Sequence, residues 1–372
     1  MIPYTGEYIE HFDPEKPSLK FYSFTPRPLM RGGMYQMDDE LATLLIEAHR
    51  NIGFLEGLVK YAPNKEAFAE LMLLKECTYS HMIDYDGPDF KEILTIRGTG
   101  KGDITPITNL EMAYKAAKSM EVAAPDLSRI CGIALNGESE NNPIDVRDHQ
   151  TFWLGAKTNL KGYNPTAPDA VLPALADISA YLYNDHNTDP LIKAALVHYQ
   201  FEMIHPFERY NGIVGRILVP MVLRDTIGEA MLLICLSEYL YHNKNEYFDL
   251  LRTTQYSGGY VRWIKFFVNA VGQAAKQSAE QLMQYEQHII EDLEHLMDIE
   301  NLPKSVFSLY EYLKRCPIIN SSTAAKNIGL SFNSISKAIR VLQEHDIVVQ
   351  ISDTERNRTW KYRAFNMDAD NI

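Results

Sequence analysis

Apolar residues recur at helical spacing in one segment after another of this chain, and that recurrence restricts the fold more than any other feature. In "MDDELATLLIEAHRNIGFLEGLVKYA" they fall at Leu41, Leu44, Leu45, Ala48, Ile52, Leu55 and Val59. Those are the three- and four-residue steps of one helix face. Asp38 and Asp39 suit the start of that helix, and Pro63-Asn64 its end. A second helix, "KEAFAELMLLKECTYSHMIDY", stops before Asp86-Gly87. Further helical patterns lie near 109–119, 125–136, 169–183, 190–203, 212–226 and 243–254, and over about 260–298. Strands do not alternate with them, so a mainly α body is expected rather than a wound parallel sheet. Residues 1–37 hold prolines and aromatics without periodicity and read as an ordered arm. Residues 137–168 are polar with one strand-like patch, "QTFWLG", and read as a loop or small hairpin.

At 372 residues the chain exceeds what one core usually organises, so two or three domains are expected. The 36 Lys+Arg against 49 Asp+Glu, a net charge of -13, argue against a chain that binds nucleic acid along its whole length. Cys77, Cys131, Cys235 and Cys316 are far apart and form no CxxC, as in a reduced, cytosolic protein. The start, "MIPYTGEYIEHFDPEKP", lacks the apolar core of a signal peptide. No run is long enough to cross a bilayer, and no membrane partner is expected. A cytoplasmic location follows as the expectation.

The composition shifts after "NLPKS". Between Pro303 and Phe365 stand ten Lys/Arg and five acids, a net +5, which leaves -18 for the rest. A helix over 305–315 precedes "SSTAAKNIGL" and "SFNSISKAIRVLQEHD", then the β-rich "IVVQIS" and "TWKYRAF". Ser322 or Thr323 suits one helix cap and Ser331 another. Gly329 suits the turn between them. The pattern is a winged helix-turn-helix over 303–366. In a DNA-binding reading, Ser334, Lys337 and Arg340 face the groove, and Arg356 and Arg358 in the wing touch phosphates. Such modules also dock proteins, and that alternative stays open.

The candidate site is "IHPFERYNGIVGR", Ile204 to Arg216. An apolar helix runs into His205-Pro206, and proline stops it there. A loop then reaches Asn211-Gly212, where another apolar helix begins. Its first N–H groups suit an anion, and glycine lets that anion approach. Arg216 follows Gly212 by one turn and can reach the same anion. His205 is placed to take a proton from a nucleophile attacking a phosphate. The pattern fits phosphoryl or nucleotidyl transfer.

"HPFERYNGIVGR" resembles the Fic motif, HxFx(D/E)GNGRxxR, of AMP-transferring Fic proteins. "RNIGFLEGLVKYAPN", "LLKECTYSHMID", "QTFWLG", "ALVHYQFEMIHPF", "CLSEYLYHNKNEYFDLL" and "WIKFFVNAV" match, in order, stretches of the larger bacterial members. The resemblance covers about residues 20–365. It implies an N-terminal arm and helices over 1–105, a helical Fic domain over 106–298 with a small β-hairpin flap, and the C-terminal winged helix. It implies ATP with Mg²⁺ as the nucleotide, and transfer of AMP to a Tyr, Ser or Thr hydroxyl of a protein. A homodimer is the expected assembly. His205 matches the base, Phe207 the loop anchor, Asn211 and Gly212 the phosphate cradle, and Arg216 the second motif arginine. Arg209 falls on the metal-binding acid, Tyr210 on a glycine and Ile213 on the first arginine. Arg209 then either supplies the positive charge itself or leaves Glu208 as the metal ligand. These changes leave open a protein adenylyltransferase, a catalytically impaired scaffold, and a DNA-binding regulator. In many relatives an inhibitory (S/T)xxxE(G/N) segment pairs its Glu with the second motif arginine. "SHMIDY" places Ser80 and Asp84 at those positions; Asp84 as a helix-end surface charge is the alternative. "NIGFLEG" offers Glu56-Gly57 but matches a different stretch. In "QTFWLG", Trp153, Leu154 and Gly155 match the flap that aligns a target peptide by strand addition.

Overall fold

The computed structural model describes residues 5–12, 20–137, 143–151, 164–352 and 358–365. Trp153, Leu154, Gly155 and Arg356 lie outside the described residues.

The N-terminal arm, read from the sequence as ordered but without periodicity, holds a hairpin: β1 (Gly6–Phe12) pairs antiparallel with β2 (Lys20–Pro26). Most of β1 faces solvent, so the buried alternation that identifies a strand is missing from it. The first helix, α1 (Asp39–Tyr61), is capped by the Asp38 carboxylate, which accepts the Leu41 N–H at 2.8 Å. It buries Leu41, Leu45, Ala48, Ile52, Leu55 and Val59. That stripe lies along α11 (Tyr260–Met297), the longest helix.

Between them come α2 (Lys65–Asp84), α3 (Phe90–Thr99), α4 (Thr105–Ala117), α5 (Ala124–Asn136), α6 (Pro168–Asn184), α7 (Pro190–Ile204), α8 (Asn211–Ile227), α9 (Leu236–His242) and α10 (Lys244–Ser257). Helix α3 has no counterpart among the sequence-read segments. Proline occupies the first turn of α4 through α7, where its missing N–H costs nothing. Helix α7 is buried all round, from Leu191 to Ile204 apart from Lys193, and packs against α8. A helix apolar on every face belongs at the centre of the bundle. The loop joining α7 to α8 is therefore anchored at both ends in the core.

Helix α2 is fixed by buried polar contacts. Lys75 pairs with Glu238 at 2.7 Å, both almost fully buried. The Glu76 carboxylate accepts from Tyr114 Oη, Ser237 N and Ser237 Oγ. These bonds tie α2 to α4 and α9 and set the position of its C-terminal turn. Among the described residues no helix is long and apolar enough to cross a membrane.

The C-terminal part runs α12 (Lys304–Leu313), β3 (Ile318–Asn320), α13 (Ser321–Ile328), α14 (Phe332–Glu344), β4 (Val348–Gln350) and β5 (Thr359–Tyr362). The three strands form an antiparallel sheet in the order β3-β5-β4. Asn320, rather than Ser322 or Thr323, caps α13, its Oδ1 accepting the Thr323 N–H. This part rests on the helical body. Asn320 Nδ2 and Thr323 Oγ1 both donate to the Thr99 carbonyl at the end of α3, and Tyr310 and Tyr362 donate to Asp292 of α11.

Candidate functional site

Helix α7 ends at Ile204, and His205 follows in the left-handed region with φ 51°. Phe207 is fully buried and pins the middle of the loop. Asn211 closes it: its Oδ1 accepts the Phe207 N–H at 2.8 Å and its Nδ2 donates to the Phe207 carbonyl at 2.7 Å. The Asn211 side chain thus shapes the cradle. The backbone at the start of α8 is what remains for a ligand.

Tyr210, immediately before α8, has φ 64°. A residue with a Cβ in that region bears strain of roughly 1–2 kcal/mol, which glycine avoids. The Tyr210 ring lies against Tyr85 at 5.4 Å between centroids, and this aromatic contact offsets part of the strain. Ile213 is fully buried, so the position where the resembled motif has its first arginine is core here.

Sequence reasoning missed Arg147, which lies under the loop. Its guanidinium donates to the carbonyls of Ile204, His205, His149 and Thr166, and its own N–H to Pro206 O. Burial lowers its pKa to about 10, so it stays cationic at neutral pH.

His205 Nδ1 donates to the Glu202 carbonyl at 3.3 Å, and on that tautomer Nε2 is the basic nitrogen. Burial pushes the imidazole pKa down to about 4. The ring is neutral at physiological pH, as a general base must be.

Arg216 is 1% exposed. Its Nε donates to Ser80 Oγ at 2.8 Å, and Nη2 donates to the Ser80 carbonyl at 2.8 Å and to Asp84 Oδ2 at 2.6 Å. Burial opposes its charge, but Asp84 and then Tyr247 outweigh that and raise its pKa. The pairing brings the last turn of α2 onto the first turn of α8. A Cβ on Gly212 would lie 2.7 Å from Asp84 Oδ2 and 3.0 Å from Arg216 Nη1, so the carboxylate sits directly on the glycine face. Asp84 is also the last residue of α2, where the helix dipole disfavours a negative charge. Its stabilisation comes instead from Arg216 and from the start of α8.

Glu202 lies one turn further along α8, where a Cβ on Gly215 would fall 2.3 Å from its Oε1. Burial raises its pKa to about 8, against the pull of Arg216, so it is protonated at neutral pH. It too was missed in the sequence, where it is one polar residue in an apolar helix.

Asp84, Glu202, His205, Tyr210, Gly212 and Arg216 line a cleft of about 460 Å³, with Thr151, Tyr247 and Phe248 on its walls. Glu208 and Arg209 are exposed, and both line the cleft. The donor set does not make a resident Mg²⁺ site. Arg209 is a cation, Asp84 is bound to Arg216 and Glu202 is protonated. Among the described residues no three His, Cys, Asp or Glu cluster as metal ligands. A divalent ion arriving with a triphosphate would find one loop oxygen donor, Glu208.

In the C-terminal part, Lys337, Arg340 and Arg358 are exposed. Ser334 is half-buried, and its Oγ and N–H both bond to Ser331 Oγ at the start of α14.

The Fic/DOC family profile matches residues 124–223. A protein adenylyltransferase of Caenorhabditis briggsae is 39% identical over 64 residues, 16% of this chain and 12% of that protein. A probable protein adenylyltransferase of Aquifex aeolicus is 30% identical over 115 residues, 31% of this chain and 32% of that protein. The chain therefore spans a third or less of the length of these curated relatives. The crystal structure of a Fic family protein from Desulfovibrio desulfuricans G20 is similar with a TM-score of 0.57 at 16% identity. That match covers 91% of this chain and 100% of the other, and it shows a shared fold.

Proposed function

We propose that this chain, whose residues 124–223 match the Fic/DOC family profile, is a protein adenylyltransferase held off by Asp84. The observation that carries the reading is the Asp84–Arg216 pair at 2.6 Å, set against Gly212 at the start of α8. A helix N-terminus beside a buried arginine is an anion site, and here the chain's own carboxylate fills it. In the released state the outer phosphates of ATP take the place of the Asp84 carboxylate on Arg216, with Arg209 adding positive charge at the cleft. A target hydroxyl gives its proton to His205 Nε2 as its oxygen attacks the α-phosphorus. The bond from that phosphorus to the bridging oxygen breaks, pyrophosphate leaves, and AMP stays on the hydroxyl. Phe207, Asn211 and Arg147 keep the loop in shape for this step.

The test is incorporation of label from α-labelled ATP, into the chain itself or into lysate proteins, by Asp84→Ala. Labelling that rises over wild type and disappears in Asp84→Ala/His205→Ala is the expected result. No labelling in Asp84→Ala, while ATP still binds, would identify a scaffold whose altered residues Arg209, Tyr210 and Ile213 have ended transfer.

A further inference from the structure

A second hollow, of about 260 Å³, lies in the C-terminal part between the start of α13, the exposed side of α14 and strand β5. Ser322, Ser336, Arg340, Gln343, Arg358 and Trp360 line it. Its described lining includes donors and cations but no acid.

Arg340 and Arg358 are set apart by place, since they are the two described cations that line the hollow, while Lys304, Lys326 and Lys361 are likewise without an ion pair among the described residues. In the same part Lys314 pairs with Glu311, Arg315 with Glu70 and Arg363 with Asp346. Arg340 and Arg358 have no ion pair among the described residues. Trp360 gives a second, independent observation. It is 8% exposed, yet its indole Nε1–H has no acceptor among the described residues. A buried donor left without a partner costs roughly 1–3 kcal/mol, and native structures rarely tolerate one without a reason. The start of α13 adds backbone donors, since Asn320 takes the Thr323 N–H alone. A phosphate would satisfy all three features at once.

The exposed face extends past this one site. Along α14, Asn333, Lys337, Arg340 and Gln343 are exposed, with no acid before Glu344 at the helix end. Lys337 also has no ion pair among the described residues. With +5 on this segment and -18 on the rest of the chain, an anionic polymer is drawn to this face and repelled by the others. A single free phosphate would leave Lys337 unused.

We propose that this hollow holds a backbone phosphate of duplex DNA, gripped by Arg340, Arg358 and the start of α13, with the exposed side of α14 laid along the duplex. This reading is independent of nucleotide transfer at the Asp84–Arg216 cleft.

The experiment uses the full chain and a labelled mixed-sequence DNA duplex, with anisotropy titrations from about 50 to about 200 mM salt. Affinity is expected to fall linearly on a log–log salt plot. Arg340→Ala and Arg358→Ala are each expected to weaken binding roughly three- to tenfold and to lower the salt slope by about one. Trp360→Phe removes the N–H and keeps the ring; it is expected to weaken binding with the thermal midpoint retained. The proposal is overturned by absence of binding at low salt, by salt-independent binding, or by arginine variants that bind like wild type. Tighter binding to single-stranded RNA than to the duplex, or capture of inorganic phosphate without the duplex, overturns it as well.

Discussion

Two places in this molecule share one design, an arginine beside the start of a helix, and they differ in what answers the charge. At the start of α8, Arg216 is buried and held by Ser80 and Asp84. At the start of α13, Arg340 and Arg358 are exposed and have no ion pair among the described residues. A helix N-terminus with an arginine can receive an anion wherever it occurs. Whether it is closed or open depends on a resident acid, and that acid comes from a distant part of the chain.

The largest expected effect separates the two. Arg216→Ala removes the partner of a carboxylate 24% exposed and leaves other buried polar groups unmatched. It is expected to cost about 3 kcal/mol in urea denaturation, at the low end for a broken buried pair because Asp84 keeps some water. Arg340→Ala is expected to change stability by less than about 0.5 kcal/mol. Equal losses at the two sites would erase the distinction.

Acid pH comes next. Burial holds His198, bonded to Gly215 O and Tyr247 Oη, at about 4. The folded state therefore resists a proton that the unfolded chain accepts near 6.5. Stability from this group is fully present above about 6.5 and is lost as pH falls toward 4, by up to about 3 kcal/mol. His198→Asn is expected to make that limb of a thermal-midpoint profile shallower, leaving the share of His205, which burial also holds at about 4. Glu202 acts with the opposite sign: raised to about 8, it stabilises fully below about 4.5 and loses that contribution as pH rises through 8. Glu202→Gln is expected to flatten the alkaline limb.

Gly212→Ala is expected to cost roughly 1–3 kcal/mol, because the new methyl would meet Asp84 Oδ2 at 2.7 Å. In an Asp84→Ala background most of that cost is expected to vanish. An unchanged cost in the double variant would place the clash elsewhere. A small effect also belongs to Tyr210→Gly. It relieves the strain at φ 64° but gives up the Tyr85 contact and adds chain entropy. Stability is expected to move by less than about 1 kcal/mol in thermal unfolding, while ATP binding tightens as the cleft widens.

Much of the bundle is legible in the sequence because its helices carry their own periodicity, as in the Leu41 to Val59 stripe of α1. The β1–β2 hairpin and α3 are not, since neither repeats apolar residues at a spacing that stands out. At the cleft, His205, Asn211, Gly212 and Arg216 are legible because they fall within one loop and one turn. Asp84 was reached through resemblance, being 132 positions from its partner Arg216. Arg147 left no local signal: the carbonyls of Ile204 and Thr166 that it binds are 57 and 19 residues away. Trp360 reads in sequence as a strand residue, and its unanswered N–H is visible only once β5 is paired.

The central claim is that Asp84 occupies the position an outer phosphate needs. Calorimetric titration of a non-hydrolysable ATP analogue into wild type and Asp84→Ala tests it directly. Affinity at least about tenfold tighter in the variant, equal to about 1.4 kcal/mol, is the expected result. Equal affinity in the two proteins, or tighter binding by wild type, would contradict it.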